Sequence, residues 1–146
     1  MLSYVLEKGD VMFSQEKMIG LSLQRLDEKN RFIMPGFTFA SKGDQLILFQ
    51  EDNYFSIYHE TYFDNVISQF DQNSLSHLKD FLILKKQYDS FMSNVFAKVT
   101  VDGQKRILIP KLVKSIYQLD GNVVVNGALD HVNVYSENHY KKILQK

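Results

Sequence analysis

Two short segments of the chain repeat the same combination of a carboxylate and a guanidinium. Asp27 precedes Arg31 by four residues, and Asp102 precedes Arg106 by the same interval. Aspartate favours turns because its carboxylate accepts backbone N–H bonds from the residues that follow, and the arginine can return to pair with it. An arginine held in this way can bind a phosphate through two hydrogen bonds or read a guanine edge. The same pair can also do no more than stabilise a hairpin, and the pattern alone leaves both interpretations open.

These segments belong to an internal repeat. Leu26–Pro35 aligns with Val101–Pro110 at an offset of 75 residues, with Asp, Arg and Pro at identical spacing and three apolar residues before each proline. Two downstream stretches also align, now at an offset of 77 residues: Gln45–Leu48 with Asn122–Val125, and Tyr54–Tyr58 with His131–Tyr135. The second copy therefore has two extra residues after its proline, where a loop or helix end accommodates an insertion.

Each copy predicts the same succession of elements. An alternating strand leads into the Asp-x-x-x-Arg turn, a short second strand runs to the proline, and a short helix follows, clearest at Lys111–Tyr117. Two further strands form a hairpin, and a terminal helix begins near Tyr58 or Tyr135. Between the copies, Ser74 is a candidate cap for a helix whose apolar face includes Leu75.

The repeat predicts an α+β protein with one shared core. One copy is too small to bury its own sheet face, whereas two copies can pair about a pseudo-twofold axis. We expect a pseudo-twofold β-barrel or sheet with short flanking helices. The expected division is an N-terminal extension (1–17), a first repeat (18–66), a connecting helical segment (67–96) and a second repeat (97–146).

Charge is balanced in total but unevenly distributed. The chain has 17 basic and 17 acidic residues, whereas nucleic-acid-binding domains are usually basic. The stretch 97–146 nevertheless holds eight basic and four acidic residues, and 18–66 holds four basic and seven acidic ones. The second repeat is therefore the more natural surface for phosphates.

Residues for enzymatic or metal chemistry are scattered or missing. The sequence has no cysteine, no Gly-rich phosphate loop and no Gly-x-Ser-x-Gly turn. Its four histidines do not have the spacing of metal ligands. No apolar run approaches the roughly 18 residues that cross a bilayer. We therefore expect a cytoplasmic protein that is not an enzyme, with no cofactor, no metal, no catalytic residue and no membrane partner.

The repeated motifs resemble the MraZ family, whose fold is related to AbrB-type swapped-hairpin DNA-binding proteins. The resemblance covers about residues 18–142. It is carried by Gly20 with Leu26-Asp27-x-Lys29-x-Arg31, by Val101–Pro110, and by the stretch from Val123 to Tyr135. Residues 1–17 extend beyond the family's usual start.

Membership of that family implies a transcriptional regulator. The resemblance implies two tandem swapped-hairpin units and a ring-like homo-oligomer associated with the nucleoid. Such a ring binds repeated boxes in the promoter of the cell-division and cell-wall gene cluster, including its own gene. The hairpin turns are the implied contact with double-stranded DNA. Carried over position by position, the DNA-binding candidates are Lys29, Arg31, Lys105 and Arg106, and the residues that hold the turns are Asp27 and Asp102.

This sequence departs from the family pattern in both repeats. The family commonly has glycine just before the arginine, where this chain has Asn30 and Lys105. Asparagine tolerates a left-handed backbone better than lysine does. In the first repeat, Gly36 weakens the short helix that is usually basic, so part of the phosphate contact is expected to be lost there.

Two other functions are compatible with this sequence. One is an oligomeric protein-interaction module that has lost DNA binding, which the acidic first repeat and Gly36 favour. The other is an antitoxin-like swapped-hairpin protein. Such proteins usually have one hairpin unit and a disordered toxin-binding tail, so the duplication argues against it.

Overall fold

The computed structural model describes residues 17–73 and 78–145. Their strands are β1 (Leu21–Arg25), β2 (Arg31–Ile33), β3 (Gln45–Gln50), β4 (Phe55–His59), β5 (Val95–Thr100), β6 (Arg106–Leu108), β7 (Asn122–Gly127) and β8 (Val132–Ser136). Their helices are α1 (Glu60–Asn73), α2 (Leu78–Met92), α3 (Lys111–Ile116) and α4 (Glu137–Leu144), with a 3₁₀ helix at Gly36–Thr38. The expected α+β mixture is confirmed, although α1 and α2, with 14 and 15 residues, are longer than the short flanking helices expected.

The predicted helices form where the repeat placed them. α1 and α4 begin at Glu60 and Glu137, two residues after the aligned tyrosines, and α3 follows Pro110. Ser136 caps α4 because its hydroxyl accepts a hydrogen bond from the His139 amide at 3.1 Å. The connecting segment is helical in α1 and α2, and the proposed cap Ser74 lies outside the described residues.

Strands from both repeats are interleaved in one antiparallel sheet. Six strands lie in the order β1-β7-β8-β4-β3-β5. The first strand of each repeat pairs with the third strand of the other repeat, as in the register Leu23 to Val124 and Lys98 to Ile47. The two fourth strands, β4 and β8, pair at the centre. The strand order therefore reads the same from both ends, which is a pseudo-twofold arrangement.

The sheet is open, so the expectation of a barrel is wrong. β1 and β5 lie at opposite edges, because β2 and β6 leave the sheet and pair with each other as an antiparallel two-stranded ribbon. Arg31 lies opposite Leu108 in this ribbon, and Ile33 lies opposite Arg106. The second strand of each repeat therefore belongs to the ribbon and does not extend the six-stranded sheet into a closed barrel.

The core lies between the ribbon and the inner face of the sheet. Phe32 and Ile107, the middle residues of the ribbon strands, are each 1% exposed. They pack with apolar residues from the sheet and with Val113 of α3. Burial of large side chains such as these contributes about 1.5–3 kcal/mol each. The inner core also includes Leu26, Met34, Leu46, Leu48, Phe55, Ile57, Val101, Ile109, Tyr117, Leu119, Val123, Val125, Val132 and Val134.

The outer face of the sheet is covered unequally. On the β3 and β5 side, Phe49 and Phe63 pack with Phe91 of α2, with ring centroids 4.9 and 5.5 Å from it. On the β1 and β7 side, α4 is the neighbouring helix, and Leu21 and Leu23 of β1 are 57% and 54% exposed. An apolar surface therefore remains open on one half of an otherwise symmetric sheet.

Candidate functional site

The first Asp-x-x-x-Arg segment forms a closed turn around its aspartate. One carboxylate oxygen of Asp27 accepts hydrogen bonds from the Lys29 and Arg31 amides at 2.9 and 2.8 Å. The other oxygen accepts from Nε of Arg31 at 2.9 Å. The Asn30 amide closes the turn onto the Asp27 carbonyl. The carboxylate thus organises the backbone and orients the guanidinium at the same time.

The second turn repeats this geometry atom for atom. Asp102 accepts from the Gln104 and Arg106 amides at 2.9 and 2.8 Å and from Nε of Arg106 at 2.9 Å. Each aspartate engages only the Nε edge of its arginine. The terminal nitrogens of Arg31 and Arg106 donate no hydrogen bond to any of the described residues, so these donors remain available for a ligand.

The residue before each arginine adopts a left-handed backbone. Asn30 has φ of 64° and Lys105 has φ of 61°, which matches a three-residue hairpin loop that ends in a left-handed residue. Their carbonyls accept hydrogen bonds from the Ile109 and Met34 amides, both at 2.8 Å. The turn therefore requires a left-handed backbone at these positions, which explains why glycine is expected there, and Asn30 adopts it at lower cost than Lys105.

The ribbon brings the two arginines onto one face. Because Arg31 lies opposite Leu108 and Ile33 lies opposite Arg106, the four side chains project from the same side. The alternate residues, Phe32 and Ile107, point into the core. Arg31 and Arg106 are diagonal neighbours, for which side-chain origins lie roughly 7–8 Å apart. The turns of two repeats distant in sequence therefore form one surface, the ribbon face, defined by Arg31, Ile33, Arg106 and Leu108.

Lysines lie around the ribbon face. Lys29 and Lys105 are exposed at the tips of the two turns. Lys114 of α3 donates to the side chain of Asn30 at 2.9 Å, which holds a second positive charge beside the first turn. The side chain of Lys42 approaches Gly103 in the second turn. The aspartates of both turns are paired with arginine, and the first turn also carries the exposed acid Glu28.

The short elements after the prolines differ as the sequence predicted. Lys111–Ile116 is an α-helix with basic residues, whereas Gly36–Thr38 forms only a 3₁₀ helix without one. The helix that supplies Lys114 to the first turn therefore comes from the second repeat. The sequence did not indicate that Lys114 lies beside the turn of the other repeat, because this position depends on strands of one repeat pairing with strands of the other. Ile33 and Leu108 were missed for the same reason, since their positions were assigned to the apolar run before each proline.

The described residues contain no group of histidine and acidic side chains that could hold a metal ion. No helix in this part of the chain is long and apolar enough to span a membrane.

Comparison with known proteins connects this geometry to a family. No family model matches the chain. It is 31% identical over 132 residues to the transcriptional regulator MraZ of Mesomycoplasma hyopneumoniae strain 7448, which covers 88% of this chain and 86% of that protein. The chain belongs to the MraZ family. The transcriptional regulator MraZ of Cutibacterium acnes is 25% identical over 125 residues, covering 85% of this chain and 84% of that protein.

The turn carboxylates of this MraZ-family chain remain ionised into the acidic range. The amide of Arg106, with further hydrogen bonds from Gln104 and the guanidinium, lowers the pKa of Asp102 below its ordinary value of 3.8. Loss of hydration alone raises the pKa of Asp27, but hydrogen bonds from Arg31 and Lys29 outweigh it and the pKa is lowered. Both carboxylates therefore hold their arginines throughout the neutral range.

A glycine at position 105 should stabilise the protein. Lys105→Gly removes the cost of a left-handed lysine, about 1–2 kcal/mol. Glycine loses more conformational entropy on folding than lysine does, which costs about 0.5–1 kcal/mol. The expected net gain is about 0.5–1 kcal/mol in the free energy of unfolding, measured by urea denaturation. Gln104→Gly, at a neighbouring position without positive φ, should be destabilising. Equal losses in both variants would contradict a requirement for left-handed backbone at Lys105.

The turn carboxylates should stabilise the fold in a pH-dependent way. A lowered folded pKa contributes stability that is present above the unfolded value, 3.8, and is lost as the pH falls through the folded value. Asp102→Asn should therefore lower the urea midpoint above about pH 5, and its difference from the parent should shrink at lower pH. Asp52→Asn, which removes an exposed carboxylate outside the turns, is the control. If the urea midpoint of Asp102→Asn stayed equally far below that of the parent at acidic pH, the stabilisation would not come from an ionised Asp102 carboxylate.

Proposed function

We propose that this chain regulates transcription by binding double-stranded promoter DNA through the ribbon face and the two turns beside it. The observation that carries the proposal is the pair of diagonal arginines, each oriented by its own aspartate with its terminal nitrogens unused. A two-stranded ribbon fits the DNA major groove, which is about 12 Å wide. In this arrangement Arg31 and Arg106 reach guanine edges, and Lys29 and Lys105 neutralise phosphates.

The family relationship supports a proposal for the DNA target and the cellular location. The relatives are named transcriptional regulators. We propose repeated boxes in the promoter of the cell-division and cell-wall gene cluster, including this protein's own gene, as the target. The proposed location is the cytoplasm at the nucleoid, and the proposed action requires no enzymatic chemistry. We also assign the exchanged strands to the AbrB-type swapped-hairpin group, with repeats at 18–66 and 97–146 joined by 67–96.

The alternative is an oligomeric interaction module that no longer binds DNA. It is favoured by the acidic balance of the first repeat and by its 3₁₀ helix without a basic residue. The placement of Lys114 beside Asn30 weakens this alternative, because α3 of the second repeat supplies a positive charge to the first turn. The DNA-binding function predicts an affinity for DNA that falls as the salt concentration rises, whereas the interaction module predicts no such affinity.

The decisive experiment is fluorescence-anisotropy binding to DNA from upstream of the protein's own gene and to a scrambled duplex, across salt concentrations. The parent should prefer the native DNA, with affinity that falls steeply as salt rises. Arg31→Ala and Arg106→Ala should each cost about 1–3 kcal/mol on native DNA, and Lys29→Ala should reduce the salt slope by about one.

Lys85→Ala is the matched control for these variants, because it removes an exposed lysine whose partner is Asp89 on the same helix. Its affinity for DNA should equal that of the parent. If the parent binds both duplexes equally and weakly, the interaction module is the better description. If an arginine variant binds like the parent, that arginine does not contact DNA.

We further propose that the open apolar surface on β1 is a contact between copies of the chain in a ring-like oligomer. Lys98 of β5 forms a 2.8 Å ion pair with Glu60 at the start of α1. At the position related by the pseudo-twofold axis, Leu23 stands near Glu137 at the start of α4, where both line a shallow depression with Leu21 and Tyr140. The exposed position on β5 is thus charged, whereas the equivalent position on β1 is apolar and suited to a partner. An oligomer would repeat weak DNA contacts and raise avidity despite zero net charge.

Leu23→Lys tests this contact by giving β1 the residue found at the equivalent place on β5. The new lysine can pair with Glu137, so the fold should persist while the apolar contact is lost. We expect a smaller assembly than the parent by size-exclusion chromatography with light scattering. Gln24→Lys introduces the same charge at the next position of β1 and should retain the parent's mass. An unchanged mass for Leu23→Lys would place the contact elsewhere.

A further inference from the structure

The ribbon face carries apolar side chains as well as arginines. Its four outward residues alternate in chemistry, because each arginine lies opposite an aliphatic residue: Arg31 opposite Leu108, and Arg106 opposite Ile33. Ile33 is 50% exposed and Leu108 is 54% exposed. A ligand that contacts both arginines across this small face must therefore also meet both aliphatic side chains.

The charges around Ile33 and Leu108 restrict what covers them. Two guanidinium groups lie on the same face, with Lys29 and Lys105 at its ends. A second copy of the same ribbon would oppose like charges, which is unfavourable. The complementary ligand is an anionic surface that also presents apolar groups at its floor. The major groove of DNA has this combination, since phosphates line its edges and thymine places a C5 methyl group inside it.

We propose that Ile33 and Leu108 are specificity-determining residues that contact thymine methyl groups beside the bases read by the arginines. This inference rests on the proposed DNA-binding function and extends it to a second base type. The arginines supply hydrogen bonds, and the aliphatic residues supply contacts that exclude cytosine, whose edge lacks the methyl group and carries a donor. The pseudo-twofold relation of the ribbon places one arginine and one aliphatic residue toward each half of the groove site.

Replacing thymine by uracil tests this contact without altering base pairing. The probe is the upstream DNA duplex, compared with the same duplex in which every thymidine is replaced by deoxyuridine. The parent should bind the uracil duplex more weakly, by about fourfold in Kd for each methyl group contacted. Ile33→Ala and Leu108→Ala should each bind the thymine duplex more weakly and should lose part of the difference between the two duplexes.

Arg31→Ala is the matched control, since it removes a hydrogen-bonding residue from the same face. Its affinity should fall on both duplexes, and the ratio between them should stay that of the parent. Far-UV circular dichroism and thermal unfolding establish that each variant is folded. Ile33→Thr, which keeps a β-branched residue in β2, replaces Ile33→Ala if the latter is unfolded.

The outcomes separate this inference from the function on which it rests. If the parent prefers native over scrambled DNA but binds thymine and uracil duplexes equally, the methyl contact is wrong and the DNA-binding function stands. If the parent binds neither duplex, both proposals fail. If Ile33→Ala leaves the thymine-to-uracil ratio unchanged but alters the mass of the assembly, the aliphatic residues belong to a protein contact and the inference is overturned.

Discussion

The pairing of β2 with β6 is the interaction on which the rest of this structure depends. These two short strands bury Phe32 and Ile107 in the core. At the two ends of the pair, the carbonyls of Asn30 and Lys105 accept hydrogen bonds from the Ile109 and Met34 amides. Each strand alone would expose an apolar face and a row of unpaired backbone groups. Because the pairing joins the two repeats, it also obliges their first strands to cross over and complete each other's part of the sheet.

The same constraint creates the candidate site. A ribbon with one face in the core must present its alternate residues outward, so the two arginines emerge together on a single small surface. The turn that leads into each ribbon strand is held by an aspartate that also bonds the arginine. The Asp-x-x-x-Arg motif can therefore stabilise the turn and offer an arginine to a ligand at the same time. The carboxylate stabilises the turn, and the guanidinium keeps its terminal donors available.

Departure from symmetry accounts for the features that distinguish the two halves. The helix after Pro110 is longer and more basic than its counterpart, and its Lys114 serves the turn of the other repeat. α2 packs on one half of the outer sheet through Phe91, while the corresponding half leaves Leu23 exposed. The duplicated unit thus supplies the common sheet and ribbon, and the differences between copies distinguish the surfaces that we propose contact DNA and other copies of the chain.

The sequence by itself determined the repeat, its turns, and the order of strands and helices, whereas the left-handed backbone before each arginine was measured in the structure. These are local properties that depend on side-chain spacing and turn chemistry, and residues such as Asp27 and Asp102 indicate them directly. Only the tertiary structure decided that the sheet is open, that Arg31 and Arg106 share a face with Ile33 and Leu108, and that Lys114 lies beside Asn30. Those relations depend on strand pairing between segments about 75 residues apart, and periodicity within a strand does not specify its partner.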